Sequence, residues 1–307
     1  MEFTGELAAL TTALCWSFTS MFFTQAGRLI GSFKVNNIRL IFAVSIYCVA
    51  LLATTGQILP DDITVQHIFW LGLSGVVGLV IGDSALFKSQ VMIGPRLAML
   101  LHSSAPVMAT IIAWIFLREV LSVIDVLGIS ITVTGISWVV AERRYRANNY
   151  VAHGHPDAGS LAKGVALALL GAFGQAAGLV VAKYGMLNVG APVEPMPASF
   201  IRMAVSMICI WAYTVFCGKA PETIAAARNL KALGLSLSGA ITGPFLGVWM
   251  SLVAVKYIEA GIAATLNATT PIWIIPLVII IYKEKVSIRA LLGAIVAVAG
   301  VALLMVS

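Results

Sequence analysis

Asp83 is the residue whose position most invites a chemical role. It stands in the run GLVIGDSALF, with roughly two helical turns of apolar chain between it and Val91. A carboxylate in such a run is costly to bury and marks a functional hypothesis. Held away from water, it binds and releases a proton more readily near neutral pH, which suits an ion-coupling site. The competing reading is structural: an ion pair with Lys88 or Arg39, or a cap on a neighbouring helix. If proton exchange is its role, Asp83→Asn should abolish it while the chain still folds.

His102 and Asn267 form a second constellation. Each lies about one helical turn before a proline, Pro106 or Pro271. Ser104 and Thr269 follow them at equal spacing. A proline inside an apolar helix frees a backbone carbonyl of the preceding turn, and polar neighbours can satisfy it. The pair therefore reads either as glue for two helix breaks or as the polar lining of a cavity, with His102 able to titrate. Trp16 and Gln175 occupy corresponding places in two further apolar runs, and Trp249, Tyr257 and Trp273 lie towards the C-terminus. Aromatic rings in a cavity provide broad apolar and cation–π contact. At a membrane interface they serve as anchors instead.

Other combinations point away from catalysis. Glu119 and Glu284 each follow a basic residue at the end of an apolar run, where turn formation or an anchoring ion pair accounts for them. Arg39 and Arg202 begin apolar runs, and snorkelling to lipid headgroups is the simpler reading beside attraction of an anion. The His-x-His at His153 and His155 lies in a polar stretch without further ligands. Cys15, Cys48, Cys209 and Cys217 lack CxxC or Cys/His spacing and read as buried small hydrophobes. No metal or cofactor is expected, and a proton is the coupling ion considered. A Walker A loop is absent from the sequence, so ATP would need another subunit.

The elements that position these residues follow from composition. Apolar side chains fill 60% of 307 positions and charged ones 10%, too little polar surface to coat a soluble globule. A hydrocarbon core about 30 Å thick needs roughly 20 apolar residues per helix. Ten stretches meet or approach this: Gly5–Gly27, Ile38–Thr55, Ile68–Val91, Leu97–Leu117, Val123–Ala141, Leu161–Leu187, Phe200–Phe216, Leu230–Val255, Ile262–Tyr282 and Ile288–Val306. Continuous rather than alternating apolarity selects helices over a barrel. The opening MEFTGE is acidic where a cleavable signal peptide would be basic, so the first helix is expected to stay.

The chain repeats itself. PVMATIIAWIFLREVLSVIDVLG from Pro106 is echoed by PIWIIPLVIIIYKEKVSIRALLG from Pro271, matching Pro106/Pro271, Glu119/Glu284, Ser122/Ser287, Gly128/Gly293 and Gly135/Gly300 without a gap. With small shifts, LSG at 73–75 answers LSG at 237–239, Arg39 answers Arg202, and Gly5 answers Gly164. The partner of Asp83 falls near Gly247. Two five-helix halves result, residues 1–141 and 161–307, joined by a polar linker at 142–160. Since five is odd, the second half enters the membrane from the opposite side. Inverted repeats suit alternating access to a site between the halves. Glycine stripes at Gly75, Gly78 and Gly82, and at Gly171, Gly174 and Gly178, read as close-packing faces. So do Gly128, Thr132 and Gly135 with Gly293, Ala297 and Gly300, whether within one chain or across a homodimer.

The expected fold is thus an all-α polytopic membrane protein of ten transmembrane helices, two inverted repeats around a central cavity. Its expected partners are the lipid bilayer and a small-molecule solute. The net charge of +6 does not imply nucleic acid, because basic residues cluster at helix ends, where headgroups attract them. Of the nineteen Lys and Arg, only Arg118, Lys183, Arg202 and Lys256 fall on one side. The positive-inside rule makes the other side cytoplasmic and leaves both termini outside.

These repeats, with the proline–basic–Glu–Gly pattern at Pro106, Arg118, Glu119, Gly128 and at Pro271, Lys283, Glu284, Gly293, resemble the EamA-type branch of the drug/metabolite transporter superfamily. The resemblance implies a secondary transporter in a cytoplasmic, inner membrane, often an exporter of amino acids, other metabolites or drugs, with a cavity between the repeats. It also implies cytoplasmic termini, opposite to the charge count. A membrane-embedded enzyme would need clustered acid–base groups at one depth, and only Asp83 and His102 qualify. A non-transporting scaffold would leave the duplication and Asp83 unexplained.

Overall fold

The computed structural model describes residues 3–102, 104–147, 158–270, 272–273 and 288–304. All regular structure among them is helical. The first half comprises α1 (Thr4–Ile30), α2 (Ser32–Thr55), α3 (Val65–Gly75), a π-helical turn π1 (Val76–Gly82), α4 (Asp83–His102), α5 (Ala105–Leu117) and α6 (Val123–Ala147). The second comprises α7 (Ala158–Leu187), α8 (Pro195–Phe216), a short α9 (Ala220–Ala226), α10 (Leu230–Ala240), π2 (Ile241–Gly247), α11 (Val248–Tyr257), α12 (Ala260–Asn267) and α13 (Ile288–Leu304).

Local chemistry sets many of these limits. Thr64 and His67 form a capping box at the start of α3, and Asn229 accepts from the Ala232 amide at the start of α10. Prolines open α5, α8 and α9, where their missing N–H would have no helical partner anyway. Gly56 ends α2 in the left-handed conformation that glycine adopts without a Cβ clash.

Among the described residues, six segments are long and apolar enough to cross a membrane: Thr4–Ile30, Ser32–Thr55, Val65–Ser89, Leu161–Leu187, Pro195–Phe216 and Leu230–Tyr257. Ala105–Leu117 and Val123–Gly135 are shorter apolar helices. Much of the expected stretch Ile262–Tyr282 lies outside the described residues, as do His153, His155, Pro271 and Glu284.

Two boundaries differ from expectation. The third helix does not stop at Val91; α4 continues to His102, and the break falls just before Pro106. Pro106 lies in the first turn of α5, where its missing N–H forfeits no helical bond, so a helix starts there readily, whereas α4 runs on through Pro95. The fifth apolar run is expected to end at Ala141, but α6 runs on to Ala147, and α7 begins at Ala158. Arginines and alanines favour helix, and the polar sequence lets α6 continue beyond its apolar portion.

Packing between the halves is reciprocal. α1 lies against α10, π2, α11 and α12, while α7 lies against α3, π1, α4 and α5. α2 and α8 pack on each other. The glycine stripes make the close approaches: a Cβ on Gly174 would sit 2.7 Å from Gly82 Cα, and one on Gly178 3.0 Å from Gly78 Cα. α6 and α13 join through the other pair of stripes, with Gly135 against Ala297 and Gly300 against Thr132 and Gly128. Those faces are therefore used within one chain.

Candidate functional site

A cavity of about 720 Å³ lies where the two halves meet. Trp16, Thr19 and Phe23 of α1, Asp83, Phe87 and His102 of α4, Gln175 of α7, Arg202 of α8, Val248 and Ser251 of α11, and Asn267 of α12 all line it. It reaches the surface at the α1–α2 turn, where Arg28 and Gly31 are exposed lining residues. The opposite end of α1 is closed, with Gly5 against Ile258 and Tyr257. From Gly5 to Arg28, α1 spans about 35 Å.

The closed end carries a clasp. Glu119 pairs with Lys183 at 2.6 Å, and its other carboxylate oxygen accepts from the Ala260 amide at 2.9 Å. Lys183 also donates to the Ile258 carbonyl at 2.7 Å. One acidic side chain thus ties the end of α5 to α7 and to the first turn of α12, where a carboxylate is favoured.

Of the eight candidate residues, Asp83, His102, Asn267, Trp16 and Gln175 are brought together around the cavity. Trp249 and Tyr257 line a separate pocket of about 220 Å³ with Glu194 and Lys256. Trp249 leans on Phe245, with ring centroids 6.0 Å apart. Trp273 is half-buried and does not line either space.

Asp83 forms a buried ion pair with Arg39. Arg39 is itself fully enclosed: Nε donates to Asn36 Oδ1 at 2.7 Å, and the guanidinium lies 5.5 Å and 5.3 Å from the ring centres of Phe23 and Phe87. The expectation that Arg39 and Arg202 snorkel to headgroups is overturned, because both are buried, Arg202 with 3% of its surface exposed. An arginine opening an apolar run looks the same in sequence whether its head turns outwards or inwards. Tertiary packing decides, here by offering Arg39 a carboxylate from another helix.

His102 and Asn267 each end a helix, α4 or α12. Their neighbours satisfy the break: Ser104 Oγ donates to the Leu101 carbonyl and Thr269 Oγ1 to the Leu266 carbonyl, both at 2.7 Å. The gluing role thus belongs to Ser104 and Thr269. His102 Nδ1 and Asn267 Oδ1 are buried without a hydrogen-bond partner on the rim of the cavity.

The π-helical turns were not foreseen. VVGLVIG and ITGPFLG are the same length, and glycines occupy the same third and seventh places. Aligned on them, Gly82 answers Gly247 and Asp83 answers Val248, which refines the sequence register by one residue. Pro244 within π2 is the local signal for the second turn. Tyr47 donates to the Phe245 carbonyl at 2.8 Å, satisfying part of that irregular backbone.

Comparison with known proteins matches this architecture throughout the chain. The family described as "EamA-like transporter family" matches residues 3–141 and again 162–306. A protein of Archaeoglobus fulgidus described as an uncharacterized transporter is 22% identical over 299 residues, covering 97% of both chains. A solved crystal structure superposes with a TM-score of 0.72 at 14% identity, covering 99% of this chain and 96% of that one.

Proposed function

The chain belongs to the EamA-like transporter family, and we propose that this integral membrane transporter moves a small organic metabolite, an amino acid, a related solute or a drug, by alternating access. The carrying observation is the shape of the cavity: open at the α1–α2 turn and clasped at the other end by Glu119, Lys183 and the first turn of α12. A solute enters the open end, the halves rearrange, and breaking the clasp opens the far side. The reciprocal packing and the matched breaks after His102 and Asn267 support two inverted halves that exchange conformations.

Basic residues Arg28, Lys34, Lys219 and Arg228 lie at the helix ends and loops on the side of the open mouth, so the charge rule places that mouth in the cytoplasm. In that orientation the described state takes up solute from inside, as an exporter requires. The driving force is the solute gradient or proton exchange. Asp83, already engaged by Arg39, serves the second only if that pair opens during the cycle.

Flux of pooled amino acids and related metabolites into proteoliposomes, with and without an imposed pH gradient, tests this reading. Solute movement without chemical change, slowed in Glu119→Gln, is the expected result. Chemical conversion, or no flux of any solute, would sink it. Acceleration by the gradient selects proton exchange, and indifference selects facilitated diffusion.

A further inference from the structure

The two halves treat their equivalent arginines differently. In the first half, Arg39 has Asn36 one turn before it as an acceptor and Asp83 as a counter-ion. The corresponding positions in the second half, three residues before Arg202 and just after π2, are Ser199 and Val248. Serine is too short to repeat the Asn36 contact, and no hydrogen bond joins Ser199 Oγ to Arg202. Valine carries no charge. Arg202 is consequently left with Nε and Nη1 unpartnered. Among the described residues no carboxylate lies within ion-pair distance of it. Arg39 also has one unpartnered nitrogen, Nη1, but it does not line the cavity, whereas Arg202 does.

Two buried guanidinium ions therefore share one carboxylate. Asp83 lies within Coulombic reach of Arg202 but is paired with Arg39. An uncompensated buried cation is strongly unfavourable until an anion reaches it. The remaining charged lining residue, Arg28 at the mouth, adds to the positive potential along the entry route. Trp16, Phe23 and Phe87 also line the cavity, the last two with their rings against the Arg39 guanidinium as well.

We propose that the cavity binds an organic carboxylate, its anionic head seated against Arg202 in the place of the acidic side chain that position 248 lacks, its apolar body against Trp16, Phe23 and Phe87. A planar guanidinium carries donors in a fork that matches a carboxylate; the unpartnered Nε and Nη1 are enclosed, so the Arg202 side chain turns towards the cavity to engage the anion. The same arrangement disfavours organic cations and gives a zwitterion's ammonium no free carboxylate, because Asp83 is occupied. This assignment rests on the transport reading only for its consequence, passage of the solute; binding stands apart from it.

The test uses the full-length protein in lipid nanodiscs and four probes of one body: 3-phenylpropionate, 3-phenylpropanamide, 3-phenylpropylamine and phenylalanine. Ligand-induced rise of the thermal unfolding midpoint reports binding. The carboxylate should raise it most, the amide and amine little or not at all. Arg202→Gln should weaken 3-phenylpropionate on the order of 100-fold or more, the scale for truncating one partner of a buried charge pair, and Arg202→Lys should weaken it less. Val248→Asp, which supplies an internal counter-ion without removing the arginine, should also abolish the rise and keeps the test valid if Arg202→Gln fails to fold. Equal response to amine or amide, no response to the carboxylate, or an unchanged response in Val248→Asp overturns the assignment. Carboxylate binding at Arg202 with no flux of any solute into proteoliposomes would defeat transport but retain the site. Flux of neutral or cationic solutes without carboxylate binding would do the reverse.

Discussion

Arg39 and Arg202 occupy matching places about two turns into α2 and α8, and both are buried, yet one is enclosed by partners and the other is not. Around Arg39, an amide oxygen, a carboxylate and two aromatic rings account for most of the guanidinium. Around Arg202, serine and valine stand where the amide and carboxylate would be. The difference teaches that duplication supplied two similar arginine sites and that divergence closed one as structure while leaving the other facing a cavity.

Breaking the enclosed site should cost most. Asp83→Asn strands the Arg39 charge in the interior and should destabilise the chain by about 3–5 kcal/mol, read as a large fall in the detergent unfolding midpoint. The sequence alone suggested that this variant would fold normally; the buried pair changes that expectation. Adding Arg39→Gln to it should recover much of the loss, and an equal or greater loss in the double variant would show that the pair is not the cause. Asn36→Ser makes the first half resemble the second. Losing an acceptor from a charged donor should cost about 1.5–3 kcal/mol in the same assay.

The contrast has a mechanical counterpart in the two ends of the cavity. At the clasped end Glu119→Gln keeps an acceptor for the Ala260 amide but removes the charge facing Lys183 in a largely buried pair, for about 1.5–3 kcal/mol. Labelling of a cysteine placed at Ile258, in a background without the four native cysteines, should become faster as the clasp opens more often, and an unchanged rate would separate Glu119 from gating. Ser199→Asn is the converse of Asn36→Ser. It gives Arg202 an acceptor and should raise stability by roughly 0.5–1.5 kcal/mol; a loss would show that the Ser199 site has no room for the amide.

How much of this was legible can be judged residue by residue. The apolar runs, the repeat and the glycine stripes could be read directly, because each is a property of nearby residues or of spacing. Asp83 stood out for the same reason, as a charge in an apolar run, and Arg39 was among its named partners. His102 and Asn267 were identified as a pair, but Ser104 and Thr269 had to be seen bonding their carbonyls before the gluing role could be reassigned. Trp249, Tyr257 and Trp273 illustrate the limit: their type fitted a cavity, and only three-dimensional placement put them elsewhere. The first π turn was hidden because one extra residue per turn leaves no compositional mark, and Pro244 was the one local signal for the second.

The sequence by itself determined that this chain is helical, apolar enough for a membrane and built from two similar halves, since hydrophobic length and repetition are encoded along one dimension. Tertiary structure alone decided which buried charges meet. Asp83 and Arg39 are separated by 44 residues, and Glu119 and the Ala260 amide by 141. Only the folded chain sets the distances and the local dielectric on which those interactions depend, and only there does Arg202 emerge, among the described residues, as a buried arginine without a counter-ion of its own.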